Sequence, residues 1–360
     1  MSPGPASSSF ILFTAQQVRS FDRRERRPYI VGVIGTEENM TGVSGPEGEP
    51  LVSVVIPAMN AASTLGATLA GLERQDLDDR YEVIVVDDSS DDETASVAAS
   101  GSMPVNVIRQ ARSGAAKARN RGAAAARADV IAFLDADCVP DPPWLREGMD
   151  ALEEADLVQG QVVADPSVSR GPFDRTLWVT HASPLYESAN IFVRRELFDE
   201  LGGFVDLLRV SGRPLGEDAW FGWRARRSGA RTSFASDASV SHAVFPRGPR
   251  GYVAERLRAR YFPGIVRRIP ELRREFLFAW VFLSRRSAMF DAAVAALLLA
   301  AVWTTPIALL GALPYVTWLT RRALPHRRDA ALVGVAELFA DAVTLGALLF
   351  GTVRWRRAVI

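Results

Sequence analysis

With 42 Lys plus Arg against 42 Asp plus Glu in 360 residues, the chain carries no net charge and lacks the global field that draws proteins onto nucleic acid. Its single cysteine, Cys138, excludes an internal disulfide and fits a reducing compartment. Charge is nonetheless uneven: acids crowd between Glu73 and Asp156 and arginines after Arg209, a basic half suited to phosphate-bearing ligands or an anionic membrane surface.

Residues 1–50 mix Ser, Pro, Gly and charge and read as a disordered extension, with Met40 a candidate natural initiator. The apolar run near Phe10 is too short, and lacks the cationic leader, for a secretory signal. Order should begin at Leu51: residues 52–56 form a strand ended by Pro57, Ala58 and Asn60, and Asn60 or Ser63 can cap the helix carrying Leu65, Leu69 and Leu72. A second strand, residues 81–86, empties into Asp87, Asp88, Ser89, Ser90 and Asp91. A short strand fits 105–108, and residues 114–128 form an Ala-rich helix bearing Lys117, Arg119, Asn120 and Arg121.

Residues 130–134 are five apolar residues in a row, as in a strand covered on both faces, and they run straight into Asp135 and Asp137. If the chain stays extended, those two carboxylates share a side about 6.5 Å apart. Oxygen ligands without a His or Cys cluster nearby in sequence favour magnesium or manganese. Cys138, directly after, reads as a small packing residue. Strands alternating with helices at this spacing predict an α/β layer architecture with a mainly parallel sheet. Neither G-x-G-x-x-G nor G-x-x-x-x-G-K-[ST] occurs, so a nucleotide must be held by acids, cations and a metal rather than by those phosphate cradles.

Pro140 to Pro143 form a rigid loop starting a helix through Trp144, Leu145 and Leu152. Residues 157–164 alternate and predict a half-exposed strand, 165–186 a loop with a helix around Thr176, and 187–193 a further strand followed by a helix over 194–201. Gly202 and Gly203 stop that helix ahead of Phe204. Gly216, Glu217 and Asp218 open another, with acids at its positive end, and His242 closes a short strand from Ala238. Taken singly, the acid pair reads as a cap and the histidine as structural.

Taken together, Val54 to Asn60, Val85 to Asp91, Ala118 to Gly122, Asp135-Ala136-Asp137, Gly202-Gly203-Phe204 and Glu217-Asp218 resemble, in order and spacing, the family 2 glycosyltransferases. The likeness runs from about Leu51 to His242. It implies a GT-A fold, a nucleotide-diphosphate sugar donor, inversion at the anomeric carbon and a manganese or magnesium ion. Pro57, Ala58 and Asn60 would line the nucleoside pocket, with Asp87 and Asp88 holding base or ribose and Arg119 and Asn120 near base and diphosphate. Asp135 would lean to ribose and sugar, while Asp137, with His242, would meet the metal. Asp218 would be the general base, and Glu217, Asn190 and Gly203 would fall to the acceptor. The Q/R-x-x-R-W signature of processive synthases is missing, which implies single-sugar transfer.

The tail differs in character. Residues 246–286 are basic, with 276–283 reading as a helix lying in a membrane interface. Residues 288–319 hold one charge, Asp291, and predict a helical hairpin turned at Pro306, with Arg285, Arg286, Arg321 and Arg322 sharing one side; residues 330–353 span once, Glu337 and Asp341 facing protein. The positive-inside rule then leaves residues 51–245, the catalytic domain, in the cytoplasm at the cell membrane. A cell-envelope glycan or lipid-linked hydroxyl is the expected acceptor. A polyprenyl-phosphate sugar synthase is the nearest alternative reading, and a silent sugar-nucleotide-binding scaffold a more distant one.

Overall fold

The computed structural model describes residues 49–77, 80–210, 213–303 and 306–360, so the expected N-terminal extension and Met40 lie essentially outside the described residues. The first part of the chain is built from β1 (Val52–Ala58), α1 (Leu65–Leu72), β2 (Tyr81–Asp87), α2 (Thr94–Ala99), β3 (Val105–Arg109), α3 (Ala115–Ala125), β4 (Val130–Leu134), β5 (Cys138–Pro140) and α4 (Trp144–Ala151). Then come β6 (Leu157–Ala164), β7 (Asn190–Arg194), α5 (Arg195–Glu200), β8 (Leu208–Val210), β9 (Arg213–Leu215), α6 (Glu217–Ser228) and β10 (Thr232–His242). Helices α7 (Pro249–Glu255), α8 (Phe262–Arg268), α9 (Leu272–Glu275), α10 (Arg285–Trp303), α11 (Leu313–Ala323) and α12 (Ala330–Trp355) complete it.

Eight strands make one sheet in the order β3-β2-β1-β4-β7-β6-β10-β5. β7 runs against β4 and β6, and β5 against β10; the other pairings are parallel. The parallel strands therefore all end at one edge. Alternation splits the core in two: Val55, Ile131, Phe133, Ile191 and Val193 pack on one face, and Val54, Ile56, Ala132, Leu134 and Phe192 on the other. Burial on both faces explains why β4 needs an unbroken apolar run.

Several expectations change. Neither Asn60 nor Ser63 caps α1; the N-cap is Thr64, whose hydroxyl donates back to the Ala61 carbonyl (3.3 Å) instead of capping the helix. Asn60 instead sits at φ 52, taking the Asp91 amide (2.8 Å) while its own amide reaches Ser90 (2.9 Å). β6 is almost wholly buried rather than half-exposed, because β7 and β10 cover both its edges and Gln159 finds Ser183 and Glu187. No helix forms around Thr176. That stretch is held extended by bridges from Arg175 to Phe245 and from Val179 to Val162.

Residues 276–283 are not a helix either. Phe278 bridges to Phe282, Ala279 and Trp280 take positive φ, and Leu277 and Leu283 are buried, so the apolar ends are spent on the core. α10 and α11 fold back as a hairpin, with Arg286 (2.6 Å) and Arg322 (2.8 Å) meeting on Glu337. α12 lies along α7 and α8 over much of its length: a Cβ on Gly351 would stand 2.3 Å from the Arg260 carbonyl, and one on Gly264 2.8 Å from the Trp355 ring.

Candidate active site at the acidic sheet edge

β1, β2 and β4 deliver Ala58, Asp87 and Asp135 to the same edge, since each is parallel to its neighbour. β10 adds His242, and β5, running back against it, pairs Cys138 with His242. The Ala243 amide donates to the Asp137 carbonyl (2.8 Å), which fixes the end of β4 beneath the end of β10. Here His242 Nε2 stands 3.6 Å from Asp137 Oδ1, and ligand atoms of Asp137, Cys138 and His242 lie within 4.8 Å of one another. His242 Nδ1 is 2.7 Å from the Ala243 carbonyl; a proton placed there leaves Nε2 as a buried lone pair without a hydrogen-bond partner. An orphaned imidazole nitrogen beside a buried carboxylate fits a divalent cation.

Arg119 is wholly buried and pairs with Asp135 at 2.5 Å, its guanidinium over the Phe204 ring (5.7 Å). Phe204 is delivered by Gly202 and Gly203 at φ 68 and 66, conformations that cost glycine little, and it packs on Phe133 and Phe221. Asn120 clamps the same turn, donating to the Phe204 carbonyl and accepting its amide, both at 2.8 Å. Gly216, at φ 70, starts α6 so that Glu217 and Asp218 enter its first turn buried.

Burial, reinforced by Glu217, pushes the Asp218 carboxyl well above the ordinary carboxylate range; burial also raises Glu217, against the pull of Arg119. Asp137 is raised by burial, which outweighs His242, and the Cys138 thiol goes well up for the same reason, with Asp137 adding to it. Burial that the neighbouring Arg119 and His242 only partly offset is the common cause of these upward shifts.

The acids at the ends of β4 and α6 and His242 thus share an edge, but some residues expected in contact with ligand are spent internally. Asn190 is fully buried, accepts from Trp144 (2.8 Å) and donates to the Gln161 and Ala238 carbonyls (2.8 and 2.9 Å); with its amide used up in the core, it is no acceptor contact. Asp88 accepts from Gln110, Ser113 and Gly114 (each 2.8 Å) and so shapes the loop before α3, while Asp87 accepts from Ser90 and Arg109 (2.9 and 3.0 Å) and ties the turn after β2 to the end of β3. Gly203 positions Phe204, and Asn120 holds that turn.

Sequence reasoning missed Arg175, Arg258 and Glu187. Arg175 acts electrostatically on Asp137, Arg258 on both Arg175 and Glu217, and Glu187 on Asp218. Glu187 at the mouth of β7 was visible as an acid entering a strand; the two arginines carried no local signal.

The mixed sheet, with Asp135, Asp137 and His242 at its strand ends and Glu217 and Asp218 in the first turn of α6, has the GT-A architecture of sugar-transferring enzymes. The solved mannosyltransferase PcManGT of Pyrobaculum calidifontis, in complex with GDP-Man and Mn2+, shares that fold with a TM-score of 0.57 at 22% identity, over 83% of this chain and 88% of that one. The Glycosyl transferase family 2 profile matches residues 53–209. Glycosyltransferase AglE of Haloferax volcanii is 30% identical over 214 residues, 55% of this chain and 69% of the relative. The pre-mycofactocin glycosyltransferase of Mycobacterium tuberculosis is 31% identical over 218 residues, 55% of this chain but only 44% of that longer protein. The chain belongs to glycosyltransferase family 2.

Proposed function

We propose that the chain is a membrane-associated, inverting glycosyltransferase that moves one sugar from a nucleotide-diphosphate donor to a hydroxyl of a cell-envelope glycan or lipid-linked acceptor. The observation that carries this reading is the buried electrostatic chain that runs from His242 and Asp137 through Asp135 and Arg119 to Glu217 and Asp218. The donor nucleoside rests against Pro57, Ala58 and Asn60, in a pocket whose wall Asp87 and Asp88 hold in shape. Asp135, oriented by Arg119, faces ribose and sugar. Asp137 and His242, with Cys138 within reach, hold manganese or magnesium, which when bound stabilises charge on the departing diphosphate. Asp218, its carboxyl raised by burial and by Glu217, accepts the proton of the attacking hydroxyl, and a raised base is better matched to neutral pH. PcManGT, with its GDP-Man and Mn2+, supports a nucleotide-sugar donor and a manganese ion.

Two apolar segments, Arg285–Trp303 and Pro306–Trp355, are long enough to cross a membrane. Their outer faces expose Val302, Trp303, Ile307 and Val353 at 70–80%, apolar surface that water does not favour. Together with Arg285, Arg286, Arg321 and Arg322 they support a membrane mooring with the catalytic domain on the cytoplasmic side. A thermal-shift screen of UDP-, GDP- and dTDP-sugars with Mn2+ tests the donor: at about 100 times Kd a ligand adds about 2.7 kcal/mol. A shift with one base and sugar is expected; no shift with any of them defeats the proposal.

A further inference from the structure

We propose that Arg322, in the C-terminal helices, is a positioning residue for the Asp137–His242 cation site and acts through the strap of residues 172–176. The inference rests on the metal reading of that site. At one end of the strap Arg322 donates from Nε to Glu337 (2.8 Å) and from Nη2 to the Pro172 carbonyl (2.9 Å). Glu337 is fully buried and fixed by Arg286 and Tyr252, each at 2.6 Å, so the guanidinium has little freedom. Next along, Phe173 packs on the Tyr252 ring (5.4 Å between centroids) and its carbonyl takes Arg247 Nε (2.9 Å). Arg175 exchanges backbone hydrogen bonds with Phe245 (2.9 and 2.8 Å). At the far end Thr176 Oγ1 lies 3.3 Å from His242 Nδ1 and 3.3 Å from the His242 carbonyl.

Five residues span at most about 17 Å, and this strap is pinned at Pro172, Phe173, Arg175 and Thr176, so a shift at one end is handed on rather than absorbed. The imidazole that would bind the cation is oriented by Thr176 and the Ala243 carbonyl, and groups that orient a ligating histidine govern metal affinity. A planar guanidinium can bridge Glu337 and Pro172 at once; an ammonium on a flexible stem cannot hold both in fixed geometry.

The test is Mn2+ binding by electron paramagnetic resonance on the full chain in detergent, without donor, for wild type, Arg322→Met, Arg322→Lys, Thr176→Val, the double variant Thr176→Val/Arg322→Lys and the exposed control Arg321→Met. Arg322→Lys keeps the pairing with Glu337, and hence the fold, but loosens Pro172. Arg322→Met and Arg322→Lys are expected to weaken Mn2+ binding about three- to tenfold, below the roughly 10–100-fold cost of a directly bonded outer partner. Arg321→Met should match wild type, and in the Thr176→Val background the Arg322 effect should largely vanish because both act on one path. Wild-type Mn2+ affinity in Arg322→Lys, with or without a drop in Tm, overturns the strap and leaves the cation site standing. A wild-type chain that binds no Mn2+ overturns both.

Discussion

Replacing Asp218 by Asn keeps the side chain's shape and its bond from the Ala219 amide (2.8 Å), and removes only charge and basicity. A positioned base is worth roughly 10² to 10⁴ in rate, about 3–5 kcal/mol of barrier, so turnover should fall by that factor. Stability should move the other way. Burial and then Glu217 hold the wild-type carboxyl well above its ordinary range. Between the unfolded value and the raised folded value the native state binds the extra proton, so the stabilisation is complete below the unfolded value and is lost as pH climbs through that window. Asn does not titrate and escapes the loss. Asp218→Asn should therefore melt above wild type at about pH 7.5, with the gap closing toward about pH 4. Nucleoside diphosphate release with a membrane-extract acceptor reads the first effect, and melting across that pH range the second. A variant keeping more than about a tenth of wild-type turnover refutes the base role and points to an acceptor that arrives already ionised, as a polyprenyl phosphate does. A pH-independent gap refutes the electrostatic argument.

Arg119→Met removes the guanidinium that pairs with the buried Asp135 carboxylate and should cost about 3–5 kcal/mol by denaturant unfolding; a loss below about 1 kcal/mol would mean that the pair of 2.5 Å is not sealed from water. Gly222→Ala places a methyl 2.0 Å from the Tyr186 ring, and overpacking of at least about 1–3 kcal/mol should appear as a lower Tm. The full chain should float with anionic vesicles and stay bound in about 1 M salt, where surface charge is screened; release by salt would show that arginines alone make the contact.

The fold was legible wherever one residue type had one reason to be there. Residues 130–134 suited a strand buried on both faces, and that buried strand in front of them is what lifted Asp135 and Asp137 above an ordinary solvated turn. Gly202 and Gly203 were equally plain, because their positive φ leaves glycine little competition. Legibility failed where partners lie far off in sequence. The apolar run at 276–283 reads as a helix, yet its backbone is claimed by the end of the chain, Leu283 donating to Ile360 (2.7 Å) and Ile360 to Val281 (2.9 Å). Asn190 looks like a ligand contact until Trp144 and the carbonyls of β6 and β10 use up its amide. Arg175, at an isolated bridge, and Arg258, in a short 3-10 helix (Arg256–Tyr261), were invisible because segments remote in sequence bring them to the acids.

The flush seating of α12 on α7 and α8 bears on what such an enzyme can reach. On the membrane reading there is no slack between mooring and cleft, as there would be with a flexible tether, so the working height above the lipid is set by the close approaches at Gly264 and Gly351, where no side chain intervenes. An acceptor hydroxyl held much nearer to the lipid or much farther from it would then stay out of reach, so rigid seating would sort acceptors by the height of the group they offer.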